Sequence, residues 1–359
     1  MTFFRSLIKD LPAMTTIASD GLSSSEFDGY VNTGSYTLNA ALSGSLFGGM
    51  PNNKITVFAG DPATGKTFFV LGVVKQWMED NPEGGVIYFD TESAVTNQML
   101  SERGIDLTRL VKSEPETIEQ FRQTALQILD RYEESGQKKG RQPMLMVLDS
   151  LGNLSSAKEV EDIRAEKDTR DMTKAGLIRG TFRVLRLRLA KLGVPMIATN
   201  HVYAVVGAYV PTKAMSGGSG LIYVSDSIAM LSKSKDRDKE KNVVGSIVTA
   251  KMFKSRLSRE NSQVDVRISY SGGLDKYYGL LDMAVDAGMV EHSGGKYTFP
   301  NQKPVFASKI QEAPEKFFTD DFLKELNEKY VRPQFSYGVG VGAAPTTEHD
   351  HDADETENN

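Results

Sequence analysis

Residues Gly60, Asp61, Pro62, Ala63, Thr64, Gly65, Lys66 and Thr67 fit the pattern G-x-x-x-x-G-K-[ST]. An apolar run precedes them and the helix-like FFVLGVVKQWMED follows. A loop in this setting points successive backbone N–H groups at phosphate oxygens, and the following helix adds the partial positive charge of its N-terminus. Lys66 is then placed to reach the β- and γ-phosphates of a nucleotide, and Thr67 to hold Mg2+ through its hydroxyl. Gly65 keeps a side chain out of the path between backbone and phosphate. Three other stretches carry polar groups at the ends of apolar runs. MLMVLDS (144–150) ends in Asp149, which can orient magnesium through water or simply close a buried strand. YFDTES (88–93) offers Asp90 and Glu92. Hydrolysis needs a carboxylate that orients and deprotonates water, and Glu92, just beyond the strand end, suits this better than Asp90; a helix N-cap cluster is the other reading. ATNH (198–201) presents His201, either as a contact to the γ-phosphate or as a structural histidine.

These groups must be held by strands and helices. Short apolar runs at 54–60, 85–90, 144–150 and 194–200 alternate with amphipathic stretches, and 117–134 and 173–191 read as helices. This is the texture of a mainly parallel sheet with crossover helices. After about residue 224 the stretches SDSIAMLSK, NVVGSIVTAKMFK and QVDVRISY alternate and are β-branched, which predicts antiparallel strands added at one edge. The expected organisation is a small N-terminal arm over 1–36, a nucleotide-binding core over 37–285, a small C-terminal region over 286–335 and a disordered acidic tail over 336–359.

Between the strands lie loops that invite a polyanion. The segment 151–171 mixes both charge signs without an apolar stripe and reads as a mobile loop. Residues 173–191 then hold Lys174, Arg179, Arg183, Arg186, Arg188 and Lys191 and no acid. Such a stripe either tracks phosphates or is the solvated side of an amphipathic helix. The segment 202–220, with Tyr203, Tyr209, Lys213 and several glycines, is long for a connection; it is either a nucleic-acid-binding loop or a plain surface loop. Lys254 and Arg256 alternate onto one side of a strand end, where they either guard an edge or reach a neighbour's γ-phosphate.

Composition narrows the class. The chain has 359 residues and no Cys, so disulfides and zinc knuckles are excluded. Its four His make a His-rich metal centre a poor reading. No apolar stretch approaches ~18 residues, and the chain reads as a soluble cytoplasmic protein without membrane contact. The formal charge of −5 argues at first against DNA, but residues 333–359 hold six acids and no Lys or Arg, so the charge without them is +1.

The order GDPATGKT, YFDTES, MLMVLDSLGNL, ATNHVY, MSGGSG, KMFKSR and GGLDKYYGLLDMAVDAG resembles the RecA family of strand-exchange recombinases, most strongly its phage UvsX branch. The resemblance covers about residues 35–300 and implies a RecA-type P-loop ATPase core. It further implies ATP and Mg2+ as cofactors, a homo-oligomeric helical filament on single-stranded DNA, pairing with double-stranded DNA, and mediator and single-strand-binding partners. By position it makes Lys66 and Thr67 the phosphate and magnesium residues, Glu92 the base, Asp149 the second magnesium acid, His201 the γ-phosphate sensor, and Lys254 and Arg256 cations acting in trans. The loops near 155–172 and 202–219 match its DNA-binding loops, which makes Lys167, Arg170, Lys174, Arg179, Tyr203, Tyr209 and Lys213 the DNA-contact candidates. Met99 departs from the pattern, standing where the family has a Tyr that stacks on adenine. A hexameric helicase of the same core fold and a non-catalytic ATP-binding mediator are the alternatives.

Overall fold

Two short strands, β1 (Tyr30–Val31) and β2 (Met50–Pro51), pair antiparallel around α1 (Tyr36–Ser43). In chain order there follow β3 (Ile55–Gly60), α2 (Lys66–Asp80), β4 (Gly85–Asp90), α3 (Asn97–Glu102), β5 (Leu110–Ser113) and α4 (Ile118–Glu134). Next come β6 (Met144–Asp149), α5 (Ala157–Arg164), α6 (Lys174–Leu192), β7 (Met196–Ala204), β8 (Lys213–Met215) and α7 (Gly220–Val224). Then β9 (Ser227–Arg237), β10 (Val243–Ser255), β11 (Gln263–Ser269) and β12 (Gly273–Leu274) complete the main sheet. This computed structural model describes residues 27, 29–136, 140–167, 173–204, 213–218, 220–238, 240–270 and 273–337. Arg170, Tyr209, most of the arm and residues 338–359 of the acidic tail lie outside the described residues, as does the Lys213 side chain.

The sheet has ten strands in the order β12-β11-β10-β9-β3-β7-β6-β4-β5, with β8 paired to β7. From β9 to β5 every neighbour is parallel. SDSIAMLSK therefore differs from the expected antiparallel addition: as β9 it lies parallel to β3 and turns antiparallel only toward β10. The segment expected as a loop after Asp149 is also partly helical. Ser156 caps α5 and Glu159 closes a capping box, a local signal that forms a helix without an apolar stripe.

The continuous apolar runs follow from burial on both faces. Phe58, Tyr88, Val147 and Ile197 point into one core with α1 and α2, while Val57, Phe89, Leu148 and Ala198 point into the other, with Phe121, Phe182 and Leu185 of α4 and α6. Complete burial of each Val, Leu, Ile or Phe side chain among these contributes ~2 kcal/mol. The first core continues into α8 (Leu280–Asp286), the hairpin β13 (Glu291–Ser293) and β14 (Lys296–Thr298), α9 (Ala307–Glu312), α10 (Asp320–Leu326) and α11 (Arg332–Phe335). Phe299, Phe318, Leu323 and Phe335 share it with Leu38 and Leu42, and the Leu46 N–H donates to Asn327 Oδ1 at 2.8 Å. The C-terminal segment thus packs as a continuation of the core beneath the main sheet.

Candidate nucleotide site

The strand ends that converge at one edge of the sheet set the site. Gly60 ends β3, where an added Cβ would lie 2.7 Å from the Leu231 carbonyl, so the close approach of β9 requires glycine. Gly65 has φ 84° and precedes α2, while Ala63 also has a positive φ of 62°. An added Cβ at Gly65 meets no protein atom within 4 Å, so its requirement within the chain is conformational. Asp61 is half-buried, Pro62 and Ala63 face solvent, and the Thr64 hydroxyl donates to the Asp61 carbonyl at 2.8 Å. Lys66 is 6% exposed and its Nζ donates to the Gly60 and Asp61 carbonyls at 3.1 and 3.0 Å. Burial lowers its pKa, and the charges of Glu92, Asp149 and Asp61 partly offset this. The ammonium is thus poised inside its own loop, facing three carboxylates.

Asp149 ends β6 and is buried. Its two oxygens accept from the Tyr88 hydroxyl at 2.8 Å and the Thr199 hydroxyl at 2.5 Å. The Tyr88 phenol has a pKa well above its ordinary value, first through burial and then through the Asp149 charge. Asp149 and the Thr67 hydroxyl offer hard oxygen donors of the kind Mg2+ selects. Because each Asp149 oxygen already accepts a hydrogen bond, the carboxylate suits contact through water.

Asp90 and Glu92 have separate roles in the geometry. Asp90 is 1% exposed; it accepts from the N–H groups of Glu92, Ala94 and Val95 and pairs with Lys112 Nζ at 3.1 Å, so it shapes the loop after β4. Glu92 turns the other way. Its Oε1 accepts from Ser150 Oγ at 2.8 Å and lies 2.9 Å from His201 Nε2. The His201 Nδ1 is buried without a hydrogen-bond partner among the described residues. The His201 main chain bonds Ser216, and Asn200 Nδ2 donates to the Ser216 carbonyl, so the ring sits on the strand that leads into the segment after β7.

Lys254 and Arg256 are not in this cluster. Lys254 Nζ donates to the Ile222 and Ser225 carbonyls, and Arg256 Nη1 lies 3.4 Å from Asp226 Oδ1. Asp226 in turn donates its N–H to the Ile55 carbonyl, at the start of β3. Since β3 rises ~3.3 Å per residue, its two ends are ~17 Å apart. The phosphate loop and the cation pair therefore occupy opposite ends of one sheet.

The basic stripe of α6 is largely paired. Lys174 bonds Glu159 at 3.0 Å, Arg188 and Lys191 bond Glu133, and Arg186 bonds Asp226. Arg179 lies over the Tyr223 ring at 5.7 Å, and Arg183 is exposed. Lys167 and Tyr203 are also exposed. The Met99 side chain packs against the core, while Arg103 stacks on Phe68 at 4.4 Å, immediately after Thr67. Sequence reasoning did not single out Tyr88, Ser150, Thr199 or Lys112. Register could have found Tyr88: it shares a strand face with Asp90, two residues on.

The RecA N-terminal domain family matches residues 17–275. The chain belongs to the RecA family. Among relatives of this RecA-family chain, the "Recombination and repair protein" of Enterobacteria phage T4 is 33% identical over 253 residues, covering 70% of this chain and 62% of that protein. "Protein RecA" of Cereibacter sphaeroides is 30% identical over 280 residues, covering 76% of this chain and 75% of the relative. "Protein RecA" of Paracoccus denitrificans is likewise 30% identical, covering 76% and 72%. The match spans less than two thirds of the phage T4 protein. The phage similarity agrees with the UvsX branch expected from the motifs, and the mainly parallel sheet with antiparallel additions is the RecA-type core. Among the described residues, no helix is long and apolar enough to cross a membrane.

Proposed function

We propose that this RecA-family chain is a DNA strand-exchange recombinase serving homologous recombination, recombination-dependent replication and repair, and that it works as an ATP-hydrolysing helical filament on single-stranded DNA. The observation that carries the reading is the placement of the phosphate loop and of Lys254 and Arg256 at opposite ends of one sheet. A chain so built completes a nucleotide site only with a second copy, and head-to-tail repetition of that contact makes a helix of subunits.

In this reading Gly60 to Thr67 cradle the phosphates and Lys66 leaves its loop carbonyls for the β- and γ-oxygens. Thr67 and, through water, Asp149 hold Mg2+, which neutralises phosphate charge when bound. Glu92 orients and deprotonates the water that converts ATP to ADP and phosphate. Lys254 and Arg256 of one copy face the γ-phosphate held by the next. His201, bonded to Glu92 on one side and continuous with the segment after β7 on the other, ties the nucleotide state to the DNA grip. Lys167, Arg170, Lys174, Arg179, Tyr203, Tyr209 and Lys213 are the DNA-contact candidates, with Lys174 first released from Glu159. Mediator and single-strand-binding proteins are its expected partners, and its expected location is the cytoplasm, that of the host cell if the chain is phage-encoded.

A strand-exchange assay with circular single strands and homologous linear duplex tests this. Joint molecules that require ATP and homology are expected. Unwinding by closed hexameric rings would support the helicase alternative instead, and ATP binding without turnover would support the mediator.

A further inference from the structure

At the end of the sheet opposite the phosphate loop, one buried carboxylate faces four cations. Asp226 has a side chain 4% exposed, and its Oδ1 receives Arg186 Nη2 at 3.0 Å and Arg256 Nη1 at 3.4 Å. Its Oδ2 is buried without a hydrogen-bond partner among the described residues. Lys54 and Lys254 lie in the same field: burial lowers both amines' pKa, the two guanidiniums lower them further, and Asp226 opposes this. Glu260 also raises the Lys254 pKa, so two negative charges stand among four positive ones and an excess suited to an incoming anion remains.

The two guanidiniums are not equivalent. Arg186 comes from α6, makes the shorter contact and is 30% exposed, whereas Arg256 follows β10, makes the longer contact and is 48% exposed. A single carboxylate in a low-dielectric setting cannot neutralise both.

We propose that Arg186 and Asp226 are positioning residues for Arg256: Arg186 occupies the buried carboxylate, so that Arg256 is tethered beside it yet stays available to the terminal phosphate of a nucleotide held by a neighbouring copy. This rests on the reading that Lys254 and Arg256 act between copies. Without Arg186, Asp226 closes on Arg256 as a full ion pair and withdraws it from the phosphate. Removing the carboxylate as well releases Arg256 again, so the second substitution repairs the first.

The test is ATP hydrolysis on single-stranded DNA by the full chain carrying Arg186→Ala, Arg186→Ala with Asp226→Asn, or Arg256→Ala, each alone and mixed with Lys66→Ala subunits. Arg186→Ala is expected to lower kcat on the order of tenfold with little change in KM for ATP. The double variant should regain part of that loss, a coupling opposite in sign to simple damage. Mixing should revive both Arg186→Ala and Arg256→Ala, because Lys66→Ala subunits lend intact cations. Arg186→Gln makes the same comparison if the alanine protein does not fold. A double variant as slow as the single one, or rescue of Arg256→Ala but not of Arg186→Ala, overturns the positioning role and leaves the between-copy reading standing. Rescue of neither overturns both.

Discussion

Glu92 and His201, 109 residues apart in the chain, meet at 2.9 Å through Oε1 and Nε2. Ser150 donates to the same oxygen at 2.8 Å. The carboxylate is therefore held by Ser150, just beyond β6, and by His201 within β7, and any movement of His201 changes how firmly Glu92 is held.

Glu92→Gln keeps the side chain's size and removes its basicity. Turnover should fall by about 100-fold or more while ATP and DNA binding persist. Steady-state hydrolysis set beside nucleotide-binding titrations checks this; normal turnover would remove Glu92 from the role of base.

His201→Ala should separate hydrolysis from DNA. With one of its two partners gone, Glu92 is freer, so hydrolysis without DNA should rise. The stimulation by single-stranded DNA should fall at least about fivefold. Rates measured with and without DNA decide this, and an unchanged stimulation ratio would make His201 a structural residue.

Lys66 carries a pH-dependent cost. Burial lowers its pKa below the ordinary 10.5, so the folded, nucleotide-free protein binds this proton less tightly than the unfolded chain does. The cost is in full force below the folded pKa and eases as pH rises from there toward 10.5. Lys66→Met should thus unfold at no lower a temperature than the parent at pH ~7 without nucleotide, with any advantage shrinking in alkali. It should also lose the rise in melting temperature that ATP gives the parent. Thermal melts across pH, with and without ATP, check both.

Lys112 braces the Glu92 loop from the edge strand, pairing with Asp90 and donating to the Val95 carbonyl at 2.9 Å. Burial alone would lower its pKa, but hydrogen bonds to Glu114 and Asp90 outweigh this and raise it. The resulting stabilisation is fully present below 10.5 and is lost only as pH climbs through the raised value. Lys112→Met should therefore cost about 1–3 kcal/mol at neutral pH. Denaturant unfolding measures it.

The placement of the Gly60–Thr67 segment between strand and helix, that of Asp149 at a strand end, and the parallel strands are legible in sequence because each depends on local pattern: a fixed spacing, or an apolar run buried on both faces. β5 is not, since LVKS is short and half exposed. The pairing of β9 with β3 was also hidden. Its alternating pattern reads as antiparallel, and only the crossover through α7 brings it beside β3. The basic stripe on α6 looked uncontested because its counter-charges, Glu133, Glu159 and Asp226, lie on other elements. The contacts that hold Asp149 and Glu92 join β4, β6 and β7, and spacing along the chain does not show them.

The central claim is that two copies complete one nucleotide site and that DNA organises them. ATP hydrolysis with and without single-stranded DNA, paired with negative-stain imaging of the same samples, tests it most directly. The account predicts a DNA-stimulated rate accompanied by extended helical filaments. A rate unchanged by single-stranded DNA, with no filaments formed, would contradict it.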